Sequence, residues 1–274
     1  MTVSRVALSP AAEHCRDLTR RVSPDRALLG ELVPPPNRPP LWAIAAFDWE
    51  IARIPELVTE PMLGAIRYQW WRDAWREIAE GNPRRHPVAE ALAESHAVTP
   101  FSLDIVDAYI DAREAELDGP PADLLAMRAR AEATGGNLAR MEAVTLSVDE
   151  ERAAAIGTAW SMVGEARALA HKLRQSRHGL PADRVANLSP GLERLDPANL
   201  PVALKDLLRE ICAEAMAILE AHKPPPSPLY RGYRRLTLHY RQRLRRAGWN
   251  PFVEQVHTPT FGRVWQIVVT KLGA

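Results

Sequence analysis

"PMLGAIRYQWWRDAWREIAE", residues 61–80, decides the fold class. Pro61 stands where the first turn of a helix tolerates a missing N–H. Met62, Ile66, Trp70, Ala74 and Ile78 then recur at near-helical spacing until Gly81 and Pro83 interrupt the run. The stretch reads as one long amphipathic helix. Trp71 and Trp75, four positions apart, fall on its other side and are expected to face outward or against a partner. The same reasoning predicts helices near 38–54, 86–96, 101–117, 121–147, 150–174, 201–222, 227–247 and 260–272, between breaks such as "DGPP", "LSPG" and "HKPPPSP". "VPPPNRPP" at 33–40 is a rigid turn, because the apolar pattern resumes directly at Leu41. No two alternating β-branched runs are joined by a hairpin dipeptide, so the expected class is all-α. The breaks are short and no repeat is visible, which predicts one domain over 10–272 with residues 1–9 loosely attached.

A chain of 274 residues, 46% apolar and 25% charged, can bury a substantial core. Cys15 and Cys212 lie far apart without metal-type spacing, which argues against a disulfide framework or a zinc site and fits a reducing compartment. No run reaches signal-peptide or membrane-spanning length, so the expected location is the cytoplasm, with peripheral contact at the inner face of a membrane. The net charge of +1 conceals a polarity: residues 222–274 carry ten Lys/Arg against the single Glu254, so this tail is +9 and the remainder −8. Within it Arg231, Arg234, Arg235, Arg241, Arg245 and Arg246 are interleaved with Tyr230, Tyr233 and Tyr240. A solvated helix face, an anionic membrane surface and nucleic acid are the three readings. No nucleic-acid motif accompanies the arginines, so the expected partner is a membrane protein complex or anionic lipid, with the plain solvated face still open. The patch assigned to such a partner is Trp71, Trp75, Arg234, Arg241, Arg245 and Arg246.

"AAFDWEIARIPE", residues 45–56, concentrates three carboxylates in twelve positions. On a helical wheel Ile44, Phe47, Ile51 and Ile54 share the face expected to meet the core, while Ala45, Trp49, Ala52 and Glu56 share a second. Asp48 and Glu50 lie about 200° apart, so the three carboxylates do not converge as a cation site requires. The expected outcome is a helix with one packed side and solvated charges. Small residues form two further stripes: Ala126, Ala129, Ala133, Gly136, Ala139 and Ala143 in one helix, and Ala153, Gly157, Trp160, Gly164, Ala168 and His171 in another. Such stripes either let helices approach closely or line a cavity for a long apolar ligand, with Trp49, Ala133, Gly136, Gly157 and Trp160 as the expected lining.

The stretches "LVPPPNRPPLWAIAAFDWEIARI", "YIDAREAEL", "ARAEATGGNLARM", "GTAWSMVGEARALAHKLRQSRHGLPADRV" and "YRRLTLHYRQRLRRAGWNPF" resemble, in this order, the squalene/phytoene synthase family. The block "IRYQWWRDAW" is similar to a phytoene-synthase-like branch that includes a mitochondrial assembly factor of respiratory complex I. The resemblance implies an all-helical isoprenoid synthase fold around a central cavity. It also implies a reaction in which aspartates on two facing helices hold Mg²⁺ against prenyl diphosphates, whose departing charge needs metal or cationic stabilisation. Where the family carries Asp-Asp-x-x-Asp, this chain has Ala52, Arg53 and Glu56, keeping one carboxylate. In the second motif, with Arg167 setting the register, the family's asparagine becomes Gly164, its first aspartate Ala168, and its later acidic pair His171 and Lys172. Between Ser161 and Leu180 the one acidic residue is Glu165, so no shift of register restores two ligands. A third segment, Asp111, Arg113 and Glu116, is read as a solvated face.

The expected function is therefore a non-catalytic family member, binding a membrane respiratory complex or an isoprenoid-like ligand, with no cofactor. The alternative is a head-to-head prenyl diphosphate transferase with an atypical site, and only that alternative calls for Mg²⁺.

Overall fold

The computed structural model describes residues 7–256 together with 262, 265, 266, 269 and 270, and among these every regular element is helical. Proline in the first turn starts α1 (Pro10–Val22), α2 (Pro24–Gly30), α3 (Arg38–Ala52), α4 (Ile54–Leu57), α5 (Pro61–Ala79) and α6 (Pro87–Val98). Its fixed φ suits that position, and the N–H it lacks has no partner there in any helix. α7 (Leu103–Glu114) follows. Asp123 caps α8 (Leu124–Ala131) by accepting from the Ala126 N–H, and Asp149 caps α10 (Glu150–Leu173) by accepting from the Arg152 N–H. Between them a π-helical turn, Glu132–Gly136, leads into α9 (Asn137–Leu146). The short α11 (Ala182–Val185) precedes α12 (Val202–Ala221) and α13 (Pro228–Arg246). The helix expected over 260–272 lies mostly outside the described residues. Of the stretch 1–9, residues 1–6 also lie outside them, whereas Ser9 is tied down: its hydroxyl accepts from the Ala12 N–H at 3.1 Å and donates to Glu94 at 2.7 Å.

Two cores form. One packs α1, α3, α5, α6 and α7 around Phe47, whose ring meets Trp71, Trp75 and Tyr109 at 5.2, 5.5 and 5.4 Å. Ile44, Phe47, Ile51 and Ile54 all point into it. The other packs α10 against α12 and α13, with Leu204, Leu208, Ile211 and Leu236 fully buried.

The α5 expectation is corrected here. Trp71 and Trp75 are 5% and 1% exposed, whereas Met62 and Ile66 are 73% and 60% exposed. The periodicity is helical, but two apolar stripes compete on this helix. The one with the larger rings, Trp71 and Trp75 with Gly64 and Tyr68, takes the interior because aromatic side chains bury the most area, and of the other stripe Ala74 and Ile78 are buried with it.

The small-residue stripes meet each other. A Cβ on Gly157 would overlap the Gly135 carbonyl oxygen and Ala139, and one on Gly136 would press on Thr158. Gly136 and Gly157 therefore belong to a close crossing of α10 with the π-turn and α9, not to a cavity wall. Ala133 is half-buried beside them. The π-turn inserts a residue into the helical count, which brings Gly135 as well as Gly136 onto α10.

Candidate functional site

Between the two cores lie two cavities. One, beside α2, has a volume of about 450 Å³ and is walled by Asp25, Arg26, Asp48, Trp160, Arg167 and Tyr240 among others. The second, beside α4, has about 320 Å³ and is walled by Val58, Glu116, Leu117, Met127, Arg130 and Arg177 among others. Arg113, Ser161, Glu165 and Lys172 line both.

Charged groups brought from five helices meet at these walls. Asp48 of α3 accepts from Tyr109 at 2.6 Å and from Arg113 at 2.9 Å, and lies 3.6 Å from Arg26. Arg113 also reaches Glu116 at 2.9 Å, and Arg177 approaches the other oxygen of Glu116 at 3.5 Å. Arg26 pairs with Glu142 of α9 at 2.9 Å, which in turn accepts from Tyr233 of α13 at 3.0 Å. Arg167 stacks 3.7 Å above the Tyr240 ring and lies 3.9 Å from Asp25, which accepts from the Tyr240 hydroxyl at 2.6 Å.

Burial disfavours the ionised form of Asp48, but Arg113 and Arg26 outweigh it and hold its carboxyl below the usual range. Glu116 is held low in the same way, burial being opposed by Arg113 and Lys172. Glu142 is the contrary case: burial dominates, and Arg26 and Tyr233 only partly offset it, so its carboxyl is raised. Burial also pushes the Cys15 and Cys212 thiols up to about 12, and both cysteines are free.

Residues 19–264 match the family model described as squalene/phytoene synthase. The chain belongs to the squalene/phytoene synthase family. Among curated relatives it is similar to "NADH dehydrogenase (ubiquinone) complex I, assembly factor 6". The bovine protein is 30% identical over 115 residues, 42% of this chain and 34% of the relative. The mouse protein is 26% identical over 210 residues, 74% of this chain and 62% of the relative. The chain thus spans between a third and two thirds of the length of these relatives. Among solved structures, a dehydrosqualene synthase superposes with a TM-score of 0.80 at 12% identity, covering 96% of both chains. Squalene synthase HpnC from Alicyclobacillus acidocaldarius gives 0.69 at 18% identity, covering 88% of this chain and 95% of that one. At these identities the likeness establishes the isoprenoid synthase fold.

In a squalene/phytoene synthase-family cavity the residues aligned with the metal motifs are placed as follows. Ala52 and Arg53 close α3, the Arg53 guanidinium lying 5.7 Å over the Trp49 ring, and Glu56 on α4 is exposed. Trp49 is thus occupied by Arg53 and is not among the cavity walls described above. On α10, Gly164, Arg167, Ala168 and Lys172 line the α2 cavity with Trp160. A Cβ on Gly164 would meet nothing within 4 Å, so this wall stands open. His171 points away into solvent, near Arg174 and Gln175. The donors do not fit Mg²⁺: among the described residues no three His, Cys, Asp or Glu side chains group so as to hold a metal ion.

Asp48, Arg113 and Glu116 are the residues that the helical wheel and the spacing misplaced. The sequence alone predicts them solvated, whereas they are the centre of the network, and of that segment Asp111 alone is exposed, paired with Arg72 at 2.5 Å. No spacing rule links Arg26, Asp48, Arg113 and Glu142 across separate helices. The available local signal was Arg113 and Glu116 at i, i+3 spacing. The arginine patch is also revised. Arg234 donates to the Leu219 and His222 carbonyls at 2.5 and 3.3 Å and so caps α12, and Arg241 is half-buried. Arg245 and Arg246 are exposed, while Trp71 and Trp75 are in the core.

Proposed function

We propose that this chain is a non-catalytic member of the squalene/phytoene synthase family that serves as an assembly or binding factor for a membrane respiratory complex of the complex I type. One observation carries the reading. Where the family's reaction needs oxygen ligands for metal, the aligned positions hold Ala52, Arg53, Gly164 and Ala168, and among the carboxylates that reach the cavities Asp48 and Glu116 are held by Arg113 and Glu165 by Lys172. A carboxylate already neutralised in a buried pair has no charge to spare for a divalent ion. On this reading the protein does not ionise a diphosphate and so has no use for Mg²⁺.

The curated relatives support the assembly role by their own description. No helix among the described residues is long and apolar enough to cross a membrane, so contact with such a complex or with anionic lipid is peripheral, at the inner face, through the exposed end of α13. The same reading admits an isoprenoid or similar long apolar ligand, and nucleic acid has no motif to recognise. The test is incubation with farnesyl or geranylgeranyl diphosphate and Mg²⁺, followed by extraction and chromatography. The expected result is unchanged substrate, and a joined C30 or C40 product overturns the proposal.

A further inference from the structure

The large apolar side chains left exposed are unevenly placed. Val98, Leu125 and Val202 stand singly on α6, α8 and α12, whereas Leu57, Met62, Leu63 and Ile66 crowd the turn from α4 into α5. A lone exposed leucine needs no explanation, but a contiguous patch does. Leu57 and Ile66 wall a groove whose remaining lining is Glu50, Ile54, Arg67, Trp70, Trp71 and His86. Its aromatic part is firmly held. The Trp70, Trp71 and His86 rings meet edge to face at 5.0, 5.5 and 5.4 Å, and Arg84, bound to both oxygens of Glu77, stacks 5.1 Å over Trp70.

Two residues of the lining carry a full charge, the half-buried Glu50 of α3 and the exposed Arg67 of α5, and the two are opposite in sign. Neither has an ion-pair partner among the described residues. Burial pushes the His86 imidazole below its usual range, so at neutral pH it adds no charge. We propose that this face is a two-fold interface between two copies of the chain, with α5 lying antiparallel on its counterpart and Arg67 of each copy opposite Glu50 of the other. A two-fold axis between these two charges exchanges their places, so each meets its opposite and the pairing occurs twice per dimer. On α5, Leu63, Ile66, Arg67 and Trp70 recur at i, i+3, i+4 and i+7, the stripe that one helix offers to another. An anionic bilayer matches the face less well because Glu50 would meet like charge, and a neutral one would leave both charges desolvated and unpaired. Tryptophan at the centre of a held groove is also the kind of residue that dominates the energy of protein interfaces.

Sedimentation equilibrium of the full chain up to about 200 µM tests the interface, a range that reaches the weak association expected of a small patch. The expected result is a monomer–dimer equilibrium in the unaltered protein. Arg67→Glu and Glu50→Arg each weaken the dimer at least tenfold, because each sets like charges face to face twice, and Ile66→Asp does the same by placing a carboxylate in the apolar stripe. Mixing the two charge variants in equal amounts restores a dimer, since every facing pair in the mixed species is again opposite. The double variant Glu50→Arg/Arg67→Glu restores it alone. An unaltered chain that stays monomeric throughout overturns the proposal, as does insertion of that monomer into neutral vesicles, which would assign the face to lipid. A dimer indifferent to both charge reversals and to Ile66→Asp overturns its location. The first of these arms uses the unaltered protein, so it decides the matter even where a variant fails to fold. No substrate is present in the measurement, so its outcome is independent of the proposed lack of catalysis.

Discussion

Arg113 donates in two directions, to Asp48 at 2.9 Å and to Glu116 at 2.9 Å, and both carboxylates are pulled below their usual range by it. Removing one partner of a buried ion pair strands the other charge, which costs about 3–5 kcal/mol, more than a surface pair ever contributes. Arg113→Met is therefore expected to lose about that much stability at pH 7 in urea unfolding. The pH dependence separates this cause from a packing defect. In the unaltered chain the depressed carboxyls stabilise the fold above their unfolded values, and that contribution is lost as pH falls through the folded ones. In the variant, burial acts on Asp48 and Glu116 with less opposition, so their folded values rise, and stability is lost as pH rises instead. The gap between the two proteins should narrow steadily from pH 7 toward pH 4. A gap that stays constant would mean that the guanidinium acts there as bulk alone.

At the scale of the element, α10 presents glycines to two different surroundings. Gly157 touches the Gly135 carbonyl and Ala139, whereas Gly164 opens onto the α2 cavity. Overpacking a helix crossing costs about 1–3 kcal/mol, while alanine in an unobstructed helix interior is better than glycine by about 0.5–1 kcal/mol. Gly157→Ala should accordingly destabilise and Gly164→Ala should stabilise, with opposite shifts of the urea midpoint at unchanged slope. The pair also marks what was legible in the sequence. Most helix positions from α3 onward were, because prolines and a 3.6-residue period act locally, whereas α1 and α2 were not anticipated. Which of two apolar stripes on α5 faces inward was not, since that depends on what the neighbouring helices bring. The π-turn at Glu132–Gly136 was equally hidden, and with it the lining assigned to Gly136 and Ala133. The alignment of Ala52, Arg53, Gly164 and Ala168 with the family's metal motifs is of another kind, since it rests on residue identity and the resemblance rather than on packing, and the diphosphate incubation tests what it implies.

Over the whole molecule charge is segregated, and folding decides how much of it is available to a partner. The tail from residue 222 carries +9 in sequence, but Arg234 caps α12 and Arg241 is half-buried, so the fixed outward charge at the end of α13 rests on Arg245 and Arg246. Each basic residue at an anionic bilayer contributes about 1 kcal/mol, falling off within a Debye length of about 8 Å at physiological salt. Reversing two charges at that end thus changes the interaction by several such increments, about 2–4 kcal/mol. Arg245→Glu/Arg246→Glu is expected to reduce co-sedimentation with phosphatidylserine-containing vesicles at least tenfold in low salt, with the far-UV circular dichroism unchanged. The unaltered chain should lose the same binding as salt is raised, and should not pellet with neutral phosphatidylcholine. Pelleting with neutral vesicles would instead direct attention to the exposed Met62, Leu63 and Ile66 of α5, which are 73%, 47% and 60% exposed, because apolar insertion is indifferent to the sign of the lipid and to salt.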